Sequence, residues 1–221
     1  MTALSINLNK VSLLRNSREG NYPNVLQHAQ LCINNGADGI TVHPRPDQRH
    51  IRPGDVRELA ALVQPIANLE FNVEGNPFAP AVADYPGFLS LVEQTKPDQC
   101  TLVPDNDSQL TSDHGFNLRH SGEALEPIIK RLKDQGMRVS LFMDPDPEQI
   151  ELAAQIGTDR IELYTGPYAE AWGSDRAESL FQQHKKSAEL ATSLGMGVNA
   201  GHDLNLHNLA KFASIPGLLE V

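Results

Sequence analysis

The chain is poor in cysteine, in positive charge and in long apolar runs. Two cysteines stand in 221 residues, Cys32 and Cys100, far apart and both in apolar surroundings. They read as buried free thiols of a cytoplasmic protein rather than as a disulfide framework. No CxxC pair offers a metal site. Lys and Arg number 18 against 28 Asp and Glu, a formal charge of −10. A bulk nucleic-acid partner asks for a basic face, so this balance argues against one. A small phosphorylated substrate needs only a few local donors and stays open. No run reaches the ~18 apolar residues of a membrane helix, and Met1–Asn7 lacks the basic and apolar regions of a signal peptide. No Gly-x-Gly-x-x-Gly follows the first strand, so the dinucleotide fingerprint is missing.

What remains is an alternation of short β-rich runs with helical patterns. The pattern predicts strands over Leu4–Leu8, Gly39–His43, Asn68–Val73, Gln99–Val103, Arg138–Met143, Arg160–Tyr164 and Gly197–Ala200. Helices are expected from Asn24 to Asn34 before Gly36, after Ser121 with Leu125, Ile128, Ile129 and Leu132 on one face, after the Asp146-Pro147 cap to Gly157, and from Asp175 to Leu194. Seven β/α units running one way suggest one closed α/β barrel domain over 1–221. A (β/α)₈ barrel needs an eighth strand, and the chain stops at Leu218-Leu219-Glu220-Val221, where that strand should begin. The last β/α unit is therefore expected to be wanting, through shortening at the C-terminus. Asp105–His120, polar and irregular, reads as a mobile lid.

Barrel chemistry sits at the C-terminal strand ends. The polar residues expected there are Asn7, Asn9, Lys10, Arg15 and Arg18 after the first strand, then His43, Arg45 and His50 after the second. Glu70, Asn72 and Glu74 lie on the third. Asp105 and Thr111 follow the fourth, Glu162 and Tyr164 lie on the sixth, and Asn199, His202 and Asp203 end the seventh. Imidazoles with a desolvated carboxylate suit acid–base work, and arginines suit phosphate. Each residue has a plainer reading. Glu70 could be a partnered core carboxylate, Arg18 and Arg45 solvated charges, and Tyr164 and Trp172 packing groups. Metal hydrolysis is the chemical rival. A His-x-His pair is lacking, and only a site of His43, Glu70 and His202 would serve it.

Several blocks resemble the pyridoxine 5′-phosphate synthase family. They are Asn7-Leu-Asn-Lys-Val-Ser-Leu-Leu-Arg-Asn-Ser-Arg18, Gly36-Ala-Asp-Gly-Ile-Thr-Val-His-Pro-Arg-Pro-Asp-Gln-Arg-His50, Asn68-Leu-Glu70, Arg160-Ile-Glu-Leu-Tyr-Thr-Gly and Val198-Asn-Ala-Gly-His202. The resemblance runs from Leu4 to Val221. It implies a (β/α)₈ TIM barrel with extra helices, assembled as a homo-octamer in the cytoplasm. It implies condensation of 1-deoxy-D-xylulose 5-phosphate with 3-amino-2-oxopropyl phosphate to pyridoxine 5′-phosphate, phosphate and water, with no metal and no organic cofactor. The implied steps are imine and enamine formation, loss of phosphate, addition of water, aldol-type closure and dehydration, each helped by a proton given or taken.

By position His43 and Glu70 match the family's proton acceptors and His202 its proton donor. Asn7 and Arg18 match groups on the aminooxopropyl phosphate. Arg45, His50 and Thr111 match groups on the deoxyxylulose phosphate, and Glu162 an acidic pocket residue. Asn9-Lys10 stands where many members have Asp-His, and Asp203 where many have Gly, so these three are candidate substrate contacts with altered chemistry. Two other readings stay open: a catalytically weak paralogue that binds phosphorylated ligands, and a different sugar-phosphate isomerase or lyase.

Overall fold

A computed structural model describes residues 2–106 and 109–221. Asp107 and Ser108, inside the expected lid, lie outside the described residues. Among the described residues eight parallel strands lie side by side in chain order. They are β1 (Ser5–Asn7), β2 (Gly39–Val42), β3 (Glu70–Gly75), β4 (Gln99–Leu102), β5 (Arg138–Met143), β6 (Arg160–Tyr164), β7 (Gly197–Gly201) and β8 (Leu218–Glu220). The helices between them are α1 (Asn9–Asn16), α2 (Val25–Asn34), α3 (Pro53–Val63), α4 (Phe88–Thr95), α5 (Leu118–Asp134), α6 (Pro147–Gln155), α7 (Gly166–Glu170), α8 (Asp175–Ser193) and α9 (Leu209–Phe212). The architecture is an α/β TIM barrel.

The eighth strand, expected to be wanting, is present. Ala3 N donates to Leu219 O at 2.8 Å, Val221 N to Ala3 O at 3.0 Å and Ser5 N to Val221 O at 2.9 Å. These bonds join β8 to the chain just before β1 and satisfy the edges an open sheet would expose.

The strands alternate more strictly than their apolar look suggests. Ile40, Val42, Phe71, Val73, Cys100, Leu102, Val139, Leu141, Ile161 and Leu163 are fully buried in the hydrophobic core. Between them stand Thr41, Asn72, Thr101, Ser140 and Glu162, also buried. With a side-chain period of two, one set faces the helices and the other the barrel axis. TIM barrels are ordinarily filled by Val, Ile and Leu; this one is filled by polar groups bonded in rungs. Ser5 Oγ meets Thr41 Oγ1 at 2.7 Å, Asn72 Nδ2 donates to Thr41 Oγ1 at 3.3 Å, and Thr101 Oγ1 donates to Asn72 Oδ1 at 3.1 Å.

Local chemistry sets the helix ends. Asn24 caps α2 by accepting from Gln27 N at 2.9 Å, and Asp146 caps α6 by accepting from Glu148 N at 2.9 Å. Gly36, at φ +88°, turns the chain out of α2. One boundary matters for the site. Asn68 adopts φ +65°, so β3 starts at Glu70 rather than at Asn68 and runs on to Gly75.

Candidate active site

His43 follows β2 at the C-terminal mouth of the barrel and is nearly buried. Asn9, in the first turn of α1, accepts a bond from His43 N at 2.9 Å and fixes where the imidazole enters. The ring lies between two carboxylates: Nδ1 is 3.7 Å from Glu74 Oε2 and Nε2 is 3.2 Å from Asp105 Oδ2. Glu74 also accepts from Asn7 Nδ2 at 3.4 Å. The carboxylates are driven apart electrostatically. Burial and the neighbouring Glu162, Glu220 and Asp105 charges push Glu74 well above the ordinary carboxylate range. Burial also pushes Asp105 upward, but the His43 and Arg45 charges outweigh it and hold the carboxyl low. One carboxyl held above its ordinary range and one held below it thus flank a single imidazole, an arrangement suited to moving protons.

Glu70 does not join this group, which corrects the expectation for β3. Its carboxylate lies at the opposite, N-terminal end of the strand and forms a two-pronged ion pair with Arg138 at the start of β5, one arm at 3.2 Å. The Arg138 hydrogen bond holds Glu70 below the usual carboxylate range. Four residues at ~3.3 Å each separate it from the level of Glu74, about 13 Å. Glu70 is thus paired with Arg138 and half-exposed, rather than enclosed in the core. The metal trio His43, Glu70 and His202 is likewise not assembled, and among the described residues no group of three or more His, Cys, Asp or Glu is arranged to hold an ion.

Arg45 is buried beside His43, yet its guanidinium is taken up by the loop after β4. Nη2 donates to Asn106 O at 2.6 Å and Gln109 O at 3.1 Å, and lies 3.3 Å from Asp105 Oδ2. Arg49 adds bonds to Gln109 O at 2.9 Å and Leu110 O at 3.1 Å. Asn106, Gln109 and Leu110 are thereby held against Arg45 and Arg49 at the barrel mouth. Thr111 Oγ1 reaches His202 Nε2 at 2.9 Å, on the far side. A cavity of about 160 Å³ lies on the His43 side, lined by His43, Arg45, Asn76, Phe78, Tyr85 and Asp105.

His50 stands 6.2 Å from the His43 ring, edge to face. Burial, then the His43 and Arg45 charges, lower its pKa to about 4, so it is a neutral imidazole. Its Nδ1 accepts from Ile51 N at 2.9 Å, which leaves the proton on Nε2. Behind it, buried Arg15 donates to both oxygens of Asp55 at 2.5 and 2.8 Å and to His50 O at 3.0 Å. Asn16 Nδ2 holds the carbonyls of Arg49 and His50 at 3.0 and 2.8 Å. Arg15 was visible as a basic residue near the site, but its buried partner on α3 was not.

Glu162 faces the barrel axis, where burial and Glu220 push its pKa up to about 8 against a hydrogen bond from Thr101. Gly201 permits that position, since a Cβ there would fall onto Glu162 Oε1. Lys10 is almost fully exposed, 3.9 Å from Asp203. Asp203 bonds His202 Nδ1 at 2.7 Å. Arg18 is exposed in the turn after α1 and makes no ion pair among the described residues. The structure thus gathers Asn7, Asn9, His43, Arg45, His50, Thr111 and His202 with Lys10 and Asp203 at one mouth. It puts Glu162 below them and leaves Glu70 and Arg18 apart.

A family model described as "Pyridoxal phosphate biosynthesis protein PdxJ" matches residues 4–221. Curated relatives called pyridoxine 5′-phosphate synthase include one from Xanthomonas axonopodis pv. citri, 54% identical over 221 residues, all of this chain and 86% of that protein. Another, from Xylella fastidiosa, is 51% identical over 221 residues, all of this chain and 85% of its own length. Among solved structures the tryptophan synthase alpha chain of Legionella pneumophila superposes with a TM-score of 0.63 at 12% identity, covering all of this chain and 78% of that one. Deoxyribose phosphate aldolase of Aeropyrum pernix superposes at 0.59 and 14%, covering all of this chain and 84% of its own. These two likenesses speak for the barrel alone.

Proposed function

This chain belongs to the pyridoxal phosphate biosynthesis protein PdxJ family, and on that premise we propose how its residues carry a pyridoxine 5′-phosphate synthase reaction. The substrates are 1-deoxy-D-xylulose 5-phosphate and 3-amino-2-oxopropyl phosphate, joined by successive proton transfers. His43 takes the proton next to the imine and passes it on. Glu74, rather than Glu70, is the carboxyl that serves it, and Asp105 keeps the imidazole oriented from the other side. His202 gives a proton from across the mouth. His50 offers its Nε2–H to a phosphate oxygen. Arg45 does so by exchanging the loop carbonyls for phosphate, a stronger charge-assisted acceptor. Asn9 positions His43, and Asn7 positions Glu74. Thr111 covers the pocket, where excluding water strengthens every charge contact and shields the enamine from hydrolysis. Glu70 closes the far end of the barrel with Arg138. Arg18 meets substrate phosphate only if its turn folds inward.

The observation that carries this reading is one imidazole between two carboxyls at the barrel mouth, 3.7 and 3.2 Å away, whose proton affinities their surroundings drive apart. We further place the chain in the cytoplasm, in keeping with its free thiols. The octamer of the resemblance is supported by apolar Leu13 and Leu14 exposed on α1. Among the described residues no helix is long and apolar enough to cross a membrane. The experiment is steady-state kinetics with both substrates. His43→Asn is expected to lose about 10²–10⁴ in kcat, the usual range for a lost acid–base group, with KM little changed. Full turnover in that variant would send the proton transfers elsewhere.

A further inference from the structure

Asp203 was expected as a substrate contact, but a carboxylate has no proton to donate to a phosphate and carries the same charge. Its side chain points instead at its neighbour: Oδ2 lies 2.7 Å from His202 Nδ1. A carboxylate only accepts, so His202 Nδ1 must carry the proton. In the neutral ring Nε2 is then the bare nitrogen, and it faces Thr111 Oγ1 at 2.9 Å under the loop. Tyr164 sets the plane of the ring, edge to face at 5.2 Å and 84°. Lys10 lies 3.9 Å from the other oxygen of Asp203.

The backbone supports a dedicated role. His202 and Asp203 take φ of +91° and +60° in succession, a conformation that glycine adopts without strain and other residues seldom do. The strained turn is tied down from several sides. Buried Thr165 donates its hydroxyl to Gly201 O at 2.6 Å and to His202 O, while Asn205 and Asn208 Nδ2 approach Asp203 O at 3.4 and 3.5 Å. Strain kept in place by surrounding bonds, at a position open to glycine, marks a side chain with a use.

We propose that Asp203 is a positioning residue that fixes His202 in its Nδ1–H tautomer and aims Nε2 toward Thr111 at the barrel mouth as the atom that carries the transferred proton. The proposal rests on the reading of His202 as a proton carrier. When substrate displaces Thr111, Nε2 takes up a proton and returns it at a fixed point, while the Nδ1–H bond to Asp203 persists throughout. The residue that follows the histidine thus supplies orientation, and phosphate recognition is left to Arg45 and His50 on the other side of the mouth.

The test joins side-chain ¹⁵N NMR with kinetics on the full chain. His202 resonances are assigned by their loss in His202→Gln. Wild type above the imidazole titration is expected to show the Nδ1–H tautomer. Asp203→Asn and Asp203→Gly are expected to show mixed tautomers. Their kcat is expected to fall about 10–100-fold, the range for groups acting through a neighbouring functional side chain, with KM for both substrates within about threefold. Asp203→Gly suits the φ of +60°, so its fold is expected intact and its Tm within about 2 °C of wild type, less than a 1 kcal/mol change would cause. An Nε2–H tautomer in wild type would overturn the proposal whatever the kinetics. So would a raised KM for the amino substrate at unchanged kcat, which would make Asp203 an ammonium contact. His202→Gln at wild-type kcat would overturn the reading of His202 as proton carrier, and the proposal with it.

Discussion

Replacing Glu74 by Gln changes one oxygen to an amide group and leaves the shape alone. Glu74 is enclosed, 3.7 Å from His43 Nδ1 and 3.4 Å from Asn7 Nδ2. Burial and three nearby acidic groups hold its pKa well above the ordinary carboxylate range, so Gln replaces a carboxyl that gains little from its charge, and folding stability is expected to stay within about 1 kcal/mol. What Gln cannot do is exchange a proton with His43. Loss of an acid–base group costs about 10²–10⁴ in kcat, or roughly 3–5 kcal/mol of barrier. Glu70→Gln gives the contrasting case. It breaks the pair with Arg138, but Glu70 is 46% and Arg138 24% exposed, so at most about 1 kcal/mol is at stake. Arg138 also keeps its bond to Gln99 Oε1 at 2.9 Å. The kcat of Glu70→Gln should remain within about threefold of wild type. The assay is the initial rate of pyridoxine 5′-phosphate formation at saturation in both substrates, with calorimetry on the same samples. A large kcat loss in Glu70→Gln beside near-normal Glu74→Gln would refute the reasoning and return the role to Glu70.

Glu162 predicts a pH dependence of stability. Its folded pKa of about 8 lies above the ordinary 4.5, so the folded chain keeps a proton that the unfolded chain releases, and stability falls as pH rises through that window. His50, lowered from 6.5 to about 4, acts in the opposite sense below pH 6.5. Glu162→Gln should therefore flatten the fall between pH 6.5 and 8 in urea titrations, and an unchanged slope would contradict the raised pKa. Arg15→Met breaks a buried pair and strands Asp55, 12% exposed. Stability should drop by about 3–5 kcal/mol, and a loss under about 1 kcal/mol in chemical denaturation would show the pair to be dispensable. Gly201→Ala would drive a methyl into the Glu162 carboxylate and should lower both Tm and kcat. Gly54→Ala, in open space within α3, should be neutral or stabilising by up to about 1 kcal/mol. Equal Tm values for the two would remove the close-approach argument.

Much of the barrel is legible in local pattern. Arg138–Met143 and Arg160–Tyr164 are bounded as strands from sequence alone, and caps such as Asp146-Pro147 mark helix starts that the structure keeps. The eighth strand escapes because three residues carry no period, and only the bonds of Leu219 and Val221 to Ala3 reveal it. The helix over Asn9–Asn16 escapes because its outward face carries Leu13 and Leu14, which blur the amphipathic stripe.

The site is legible as a set of residue types, less so as a geometry. His43 and His202 follow their strands as expected. Glu70 and Glu74 share one face of one strand, so period alone cannot say which is at the mouth. The two-residue shift caused by the left-handed Asn68 decides it. Arg45 reads as a phosphate ligand by type, and only the loop that follows β4 shows that its Nη2 is already engaged.

The most direct measurement is the product balance of the purified chain given both substrates in buffer containing a strong chelator, for wild type and for His43→Asn. Equal amounts of pyridoxine 5′-phosphate and inorganic phosphate are expected from wild type, none from either substrate alone, and a rate about 10²–10⁴-fold lower from the variant. Absence of product in wild type, restoration of activity only on adding a metal, or an undiminished rate in His43→Asn would contradict that expectation.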